Sequence, residues 1–150
     1  MGVDEARRGD CIVKIRQMQT LLFKLGLILF LIGLLTGLAV PVLKNSRMGL
    51  SSHLEGVLNG MFLALLGLLW PHIHLPHVWA LTAVALIVYS AFANWLTTLL
   101  AAAWGAGRRF APIAAGDHKA SAMKEHVVGF LLVSLSVAVV VGVVIVIVGL

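Results

Sequence analysis

Charge is scarce in this sequence. Asp, Glu, Lys and Arg make up 11% of the 150 residues, against 61% hydrophobic residues. Soluble domains carry about 25% charged residues, so the scarcity excludes a soluble globular fold. Cysteine is scarcer still: the single one, Cys11, excludes an intrachain disulfide and leaves the redox compartment open. The signatures of soluble enzymes are missing, with no P-loop, no G-x-S-x-G, no C-x-x-C and no H-E-x-x-H. No nucleic-acid-binding motif accompanies the net charge of +5. That charge suits anionic lipid headgroups and is weak evidence for nucleic acid. A cleavable leader is not expected either, because the apolar run from Leu21 to Leu43 is too long for an h-region and lacks a cleavage pattern.

What the chain does have is apolar length. A bilayer core of about 30 Å takes about 20 helical residues. Four stretches supply them, at about 20–43, 50–70, 78–104 and 127–150. Open strands leave unsatisfied edges in lipid, so even the β-branched run VAVVVGVVIVIVGL reads as helix. The expected fold class is therefore an all-α membrane protein. It is one domain over residues 1–150, a four-transmembrane-helix bundle with a polar or interfacial arm over 1–17. The links 44–49 and 71–77 are short, and the second, PHIHLPH, makes the second and third helices antiparallel neighbours. The stretch 105–126 is the only long loop. Orientation does not follow: the first and third loops carry six Lys and Arg, and the N-terminal side carries four, or five with Lys24.

One stretch of the second span breaks the apolar pattern. HLEGVLNG, residues 53–60, places His53, Glu55 and Asn59 in hydrocarbon, where a charged residue costs about 2.5–3.5 kcal/mol at a helix centre. Glu55 and Asn59 stand i, i+4 on one helix face, and His53 points about 120° from Asn59. The stripe of His53 continues through Gly56, Gly60, Leu63 and Gly67, a flat wall nearly free of side chains. It serves either close helix packing, for which Gly33 and Gly37 on helix 1 are a match, or a flat ligand such as a porphyrin with His53 on its metal. His53 is alternatively an interfacial histidine facing headgroups. Glu55 either snorkels or is held neutral by loss of water. Asn59 lies deeper and needs a partner.

The third span supplies candidates. Ser90, Asn94 and Thr98 recur at i, i+4 and i+8. Ser and Thr often bond their own helix, so Asn94 carries the argument. With Asn59 it forms either a polar pocket between helices 2 and 3 or a structural clasp. Helices 1 and 4 hold little chemistry beyond Lys24, Thr36, Ser134 and Ser136 and read as scaffold or lipid face. His72, His74 and His77 in the helix 2–3 turn have spacing for a surface metal but no cysteine or acid nearby.

The blocks GLLTGLAVPVLKNSRMGLSSHLEGVLNGMF (33–62), AFANWLTTLLAAAWGAG (91–107) and PIAAG (112–116) resemble the bacterial hydroxylaminobenzene mutase family over roughly residues 18–150. The resemblance implies conversion of hydroxylaminobenzene, a small aromatic hydroxylamine, to 2-aminophenol by intramolecular hydroxyl transfer. It implies a multi-pass protein of the bacterial inner membrane, in contact with lipids and not with nucleic acid. More distantly the chain is similar to styrene oxide isomerase, a four-span membrane family that binds haem b. That family has a histidine followed six residues later by Asn-Gly on its second helix, here His53, Asn59 and Gly60, and an Ala-Asn pair on its third, here Ala93 and Asn94. The resemblance implies His53 as the iron ligand, with Gly56 and Gly60 on the haem face. One histidine leaves the other side of the iron for substrate. Ferric haem would act as a Lewis acid, Asn59 and Asn94 would position the substrate, and Glu55 would shuttle a proton. The family carries an acid and a tyrosine where this chain has Ser90 and Thr98, so no role passes to those two. Its members are trimers, which implies a homo-oligomer here with a trimer favoured. The alternatives are a small multidrug/proton exporter working through Glu55 and a haem-free structural membrane protein.

Overall fold

A computed structural model describes residues 2–150, with side-chain surroundings from residue 12 onward; Cys11 and the charges at 4, 5, 7, 8 and 10 lie outside those described side chains. Five helices follow in order: α1 (Gly2–Ala39), α2 (Ser46–Leu69), α3 (His77–Trp104), the single turn α4 (Pro112–Ala115) and α5 (Ala122–Gly149). Four segments are long and apolar enough to cross a membrane: Ile12–Val42, Ser46–His72, His77–Trp104 and Ala122–Gly149.

The expected polar arm over 1–17 is helical over its described residues. Residues 2–17 continue into the first span as one helix of 38 residues, because no proline interrupts the chain before Pro41. At 1.5 Å per residue that is about 57 Å, well beyond the roughly 30 Å of hydrocarbon. A 3₁₀ turn at Val40–Val42 closes α1. Asn45 then caps α2, its side-chain oxygen accepting from the N–H groups of Arg47 (3.1 Å) and Met48 (3.2 Å). The cap starts α2 at Ser46, four residues ahead of the expected boundary. Gly105, at φ 69°, terminates α3 in the left-handed conformation open to glycine.

The helices pack in chain order. α1 lies on α2, α2 on α3 and α3 on α5, while α1 and α3 barely meet. The α1–α2 seam is built on missing side chains. A Cβ on Gly33 would stand 2.6 Å from the Val57 nitrogen, and one on Gly60 would stand 2.6 Å from the Phe30 nitrogen. Backbones this close gain dispersion along their whole length, the usual source of helix association in lipid. Leu22, Leu29, Leu63 and Ile87 fill the buried layer beside it. The long loop is pinned rather than free: the Asn45 amide donates to the carbonyls of Ala114 (3.0 Å) and Ala115 (3.2 Å). Outward faces carry Leu38, Phe130 and Ile147, all exposed, as lipid contact requires.

Candidate active site

Glu55 projects from α2 toward α3. Its Oε2 accepts the amide N–H of Asn59, one turn along the same helix, at 3.2 Å, and that of Asn94, across the interface, at 2.5 Å. Each amide nitrogen can only donate, so one carboxylate oxygen gathers both donors. All three side chains are half-buried. The two asparagines therefore do not pair with each other; both are partnered by the acid. Both bonds fall on Oε2, which leaves Oε1 without either amide.

His53 faces the other way. Its Nδ1 lies 2.8 Å from the Gly33 carbonyl oxygen on α1. A carbonyl only accepts, so Nδ1 carries the proton and Nε2 keeps its lone pair. The ring occupies the gap left by Gly37, where a Cβ would come within 2.7 Å of Nδ1. A protonated Nδ1 tied to a backbone carbonyl is the usual second contact of a metal-binding histidine, so His53 suits a metal through Nε2.

Gly56 and Gly60 require a correction. They do not form a face for haem, because α1 already occupies it. A Cβ on Gly56 would lie 2.6 Å from the Gly33 Cα, and one on Gly60 2.7 Å from the Gly26 carbonyl oxygen. The glycine stripe is a packing seam. For the same reason α1 is not merely scaffold or lipid face: Gly33, Thr36 and Gly37 stand i, i+3, i+4 on the side that meets His53 and Trp95.

The other stripe residues of α3 turn to their own helix. Ser90 donates to the Ile87 carbonyl (2.9 Å), and Thr98 to those of Asn94 (2.9 Å) and Trp95 (3.0 Å). Two residues beside the site, Ser52 and Trp95, are not marked out by the sequence, and Thr36 reads there only as scaffold or lipid face. Ser52 on α2 donates to the Trp95 carbonyl at 3.0 Å, and the Trp95 indole N–H donates to the Thr36 hydroxyl at 3.0 Å. The one signal available was Thr36 between two glycines in GLLTG. The turn histidines hold no metal set: among the described residues no three His, Cys, Asp or Glu side chains converge, and His74 Nδ1 meets the His72 carbonyl instead.

The styrene oxide isomerase family matches residues 18–150. Hydroxylaminobenzene mutase HabA of Ectopseudomonas oleovorans is 57% identical over 118 residues, covering 79% of this chain and 87% of the relative. Hydroxylaminobenzene mutase HabB of the same organism is 55% identical over 117 residues, 78% of this chain and 71% of the relative. No solved structure matches.

Proposed function

Because this chain belongs to the styrene oxide isomerase family, we propose that it is an integral-membrane isomerase converting hydroxylaminobenzene to 2-aminophenol. The substrate is the one named for relatives 55–57% identical to it. The observation that supports a reaction centre is the Glu55 carboxyl held by amides from two helices. The exporter alternative needs an acid alone in an open cation pocket, and Glu55 is engaged by both amides.

Substrate and product have the same atoms, so no external oxidant or reductant enters. The N–O bond breaks with its electron pair leaving on oxygen. The positive charge spreads into the ring, and the oxygen forms a new bond to the ortho carbon. That carbon then loses its hydrogen as a proton, while the nitrogen gains one and becomes an amine. In this reading Glu55 takes the ring proton and returns it to nitrogen. Asn59 and Asn94 fix the carboxyl and hold the ring in register. Packed helices exclude water, which otherwise attacks mainly at the para carbon.

Haem b is the cofactor the family resemblance implies. His53 fits the role of its ligand, with Nδ1 committed to Gly33 and Nε2 free to donate a lone pair. When bound, ferric haem would supply a Lewis acid for the departing oxygen. A homo-oligomer, trimeric by the same resemblance, in the inner membrane completes the reading.

The test is turnover of hydroxylaminobenzene by membranes containing the protein, with aminophenol isomers separated by chromatography. The wild type should form the ortho product, and Glu55→Gln should lower kcat by about 100-fold or more. Wild-type rates from Glu55→Gln would remove Glu55 from the chemistry.

A further inference from the structure

We propose that Thr36 on α1 and Trp95 on α3 are a positioning pair that holds Asn94 against Glu55. The inference rests on the reading of Asn94 and Glu55 as the reaction centre. Neither Thr36 nor Trp95 touches the carboxyl; they act through the placement of α3.

Trp95 follows Asn94 in the chain, so its side chain leaves α3 about 100° away. Its indole lies where three helices meet: a Cβ on Gly56 would stand 3.0 Å from Trp95 Cδ1 and 2.6 Å from the Gly33 Cα. From there Nε1 donates to the Thr36 oxygen at 3.0 Å. Thr36 gives its own proton to the Ile32 carbonyl at 2.8 Å, so its oxygen is turned to accept. The chain of bonds has one direction, from indole to hydroxyl to backbone. Thr36 is nearly fully buried, and water does not compete for its lone pair.

The main chain of Trp95 is held as well. Its carbonyl accepts from Ser52 on α2 at 3.0 Å and from Thr98 at 3.0 Å. Residue 95 is thus tied to α1 by its side chain and to α2 by its backbone. α1 and α3 have little other contact, so the indole–hydroxyl bond is the specific link between them. What it resists is rotation of α3 about its own axis. Side-chain tips lie about 5–6 Å from a helix axis, so a turn of about 10° carries the Asn94 amide about 1 Å. A misplacement of about 1 Å at a reaction centre costs about 100-fold in rate. Partial restraint by packing reduces that, and about 10- to 100-fold is the expected range.

The experiment compares Thr36→Val, Thr36→Ser, Trp95→Phe, the Val/Phe double variant and Asn94→Ala in membranes supplied with hydroxylaminobenzene. Val keeps the shape of Thr without the acceptor, and Phe keeps a ring without the donor. The readouts are kcat and KM separately, the ratio of ortho- to para-aminophenol, and the melting temperature in detergent. Thr36→Val and Trp95→Phe should each lower kcat about 10- to 100-fold, leave KM within about threefold and shift product toward para. The double variant should be no worse than the poorer single, because both remove one bond. Thr36→Ser should restore the ratio. If Trp95→Phe does not fold, Thr36→Val against Thr36→Ser decides. Loss of activity in Asn94→Ala together with unchanged kcat and product ratio in Thr36→Val overturns the pair, whatever happens to melting. Full activity in Asn94→Ala would overturn the reaction centre itself.

Discussion

Replacing Gly37 by alanine tests whether α1 places the imidazole of His53. The new Cβ would stand 2.7 Å from Nδ1, 3.0 Å from Cε1 and 3.2 Å from Cγ. Carbon atoms settle at about 3.5–4.0 Å from their neighbours, so the ring must withdraw by about 0.8 Å. A shift of that size away from Gly33 lengthens the 2.8 Å bond to about 3.6 Å, past hydrogen-bond range. The lost bond costs about 0.5–1.5 kcal/mol and the crowding about 1–3 kcal/mol. The obstacle is a side chain that can move, so the variant should fold with a lowered melting temperature. Turnover should fall by more than stability explains, and, on the proposal that His53 ligates haem, the haem absorption should weaken or shift. Gly33→Ala makes the contrast. Its Cβ meets backbone, the Val57 nitrogen at 2.6 Å and the Gly56 carbonyl carbon at 2.7 Å, and only separation of α1 from α2 relieves it. That variant should not accumulate as folded protein. Wild-type turnover and wild-type absorption in Gly37→Ala would refute the reasoning, because the ring would then be indifferent to its cradle.

Three further outcomes are expected. If the proposed haem is present, the purified protein has a haem absorption band that His53→Ala should abolish and alanine at His72, His74 or His77 should leave intact; spectra of the wild type and the four variants decide. Turnover in oxygen-18 water should give 2-aminophenol without label by mass spectrometry, and substantial label would mean that solvent attacks the ring. Leu58→Arg, on the outward face of α2, should dissociate the proposed homo-oligomer and abolish turnover, as read by light scattering in detergent and by activity; an active monomer would contradict it.

The helices were legible because a bilayer imposes their length, and about 20 apolar residues have few other uses. Their ends were not. α2 begins at Ser46 because one polar side chain, Asn45, satisfies two amides ahead of the apolar run. Glu55 and Asn59 could be placed on one face from spacing alone, and Asn94 was singled out by its need for a partner in hydrocarbon. That Glu55 is the partner of both amides required the packing of α2 on α3. The glycine stripe was ambiguous for a physical reason: a surface without side chains accepts a helix backbone or a flat ring equally well. Only the position of α1 distinguishes them. Thr36, Ser52 and Trp95 were not readable as a group. A hydroxyl in a helix usually bonds its own backbone, and the link from Trp95 to Thr36 spans 59 positions.

The two chemical faces of α2 bear on the homo-oligomer proposed above. His53 and Glu55 are two residues apart, so they leave the helix about 200° from each other. His53 meets α1, and Glu55 meets α3. Between them, on the remaining side, run Leu54, Leu58 and Met61, each about half exposed. A substrate that touches both the His53 side and the Glu55 carboxyl must therefore lie across this outward ridge. In a lone chain the ridge faces lipid, which neither orients a small ring nor keeps a separated hydroxide close to its cation. A second copy seated over Leu54 and Leu58 would close the space over the ridge. Catalysis would then depend on assembly even though every polar group named in the mechanism belongs to α2 and α3 of one chain.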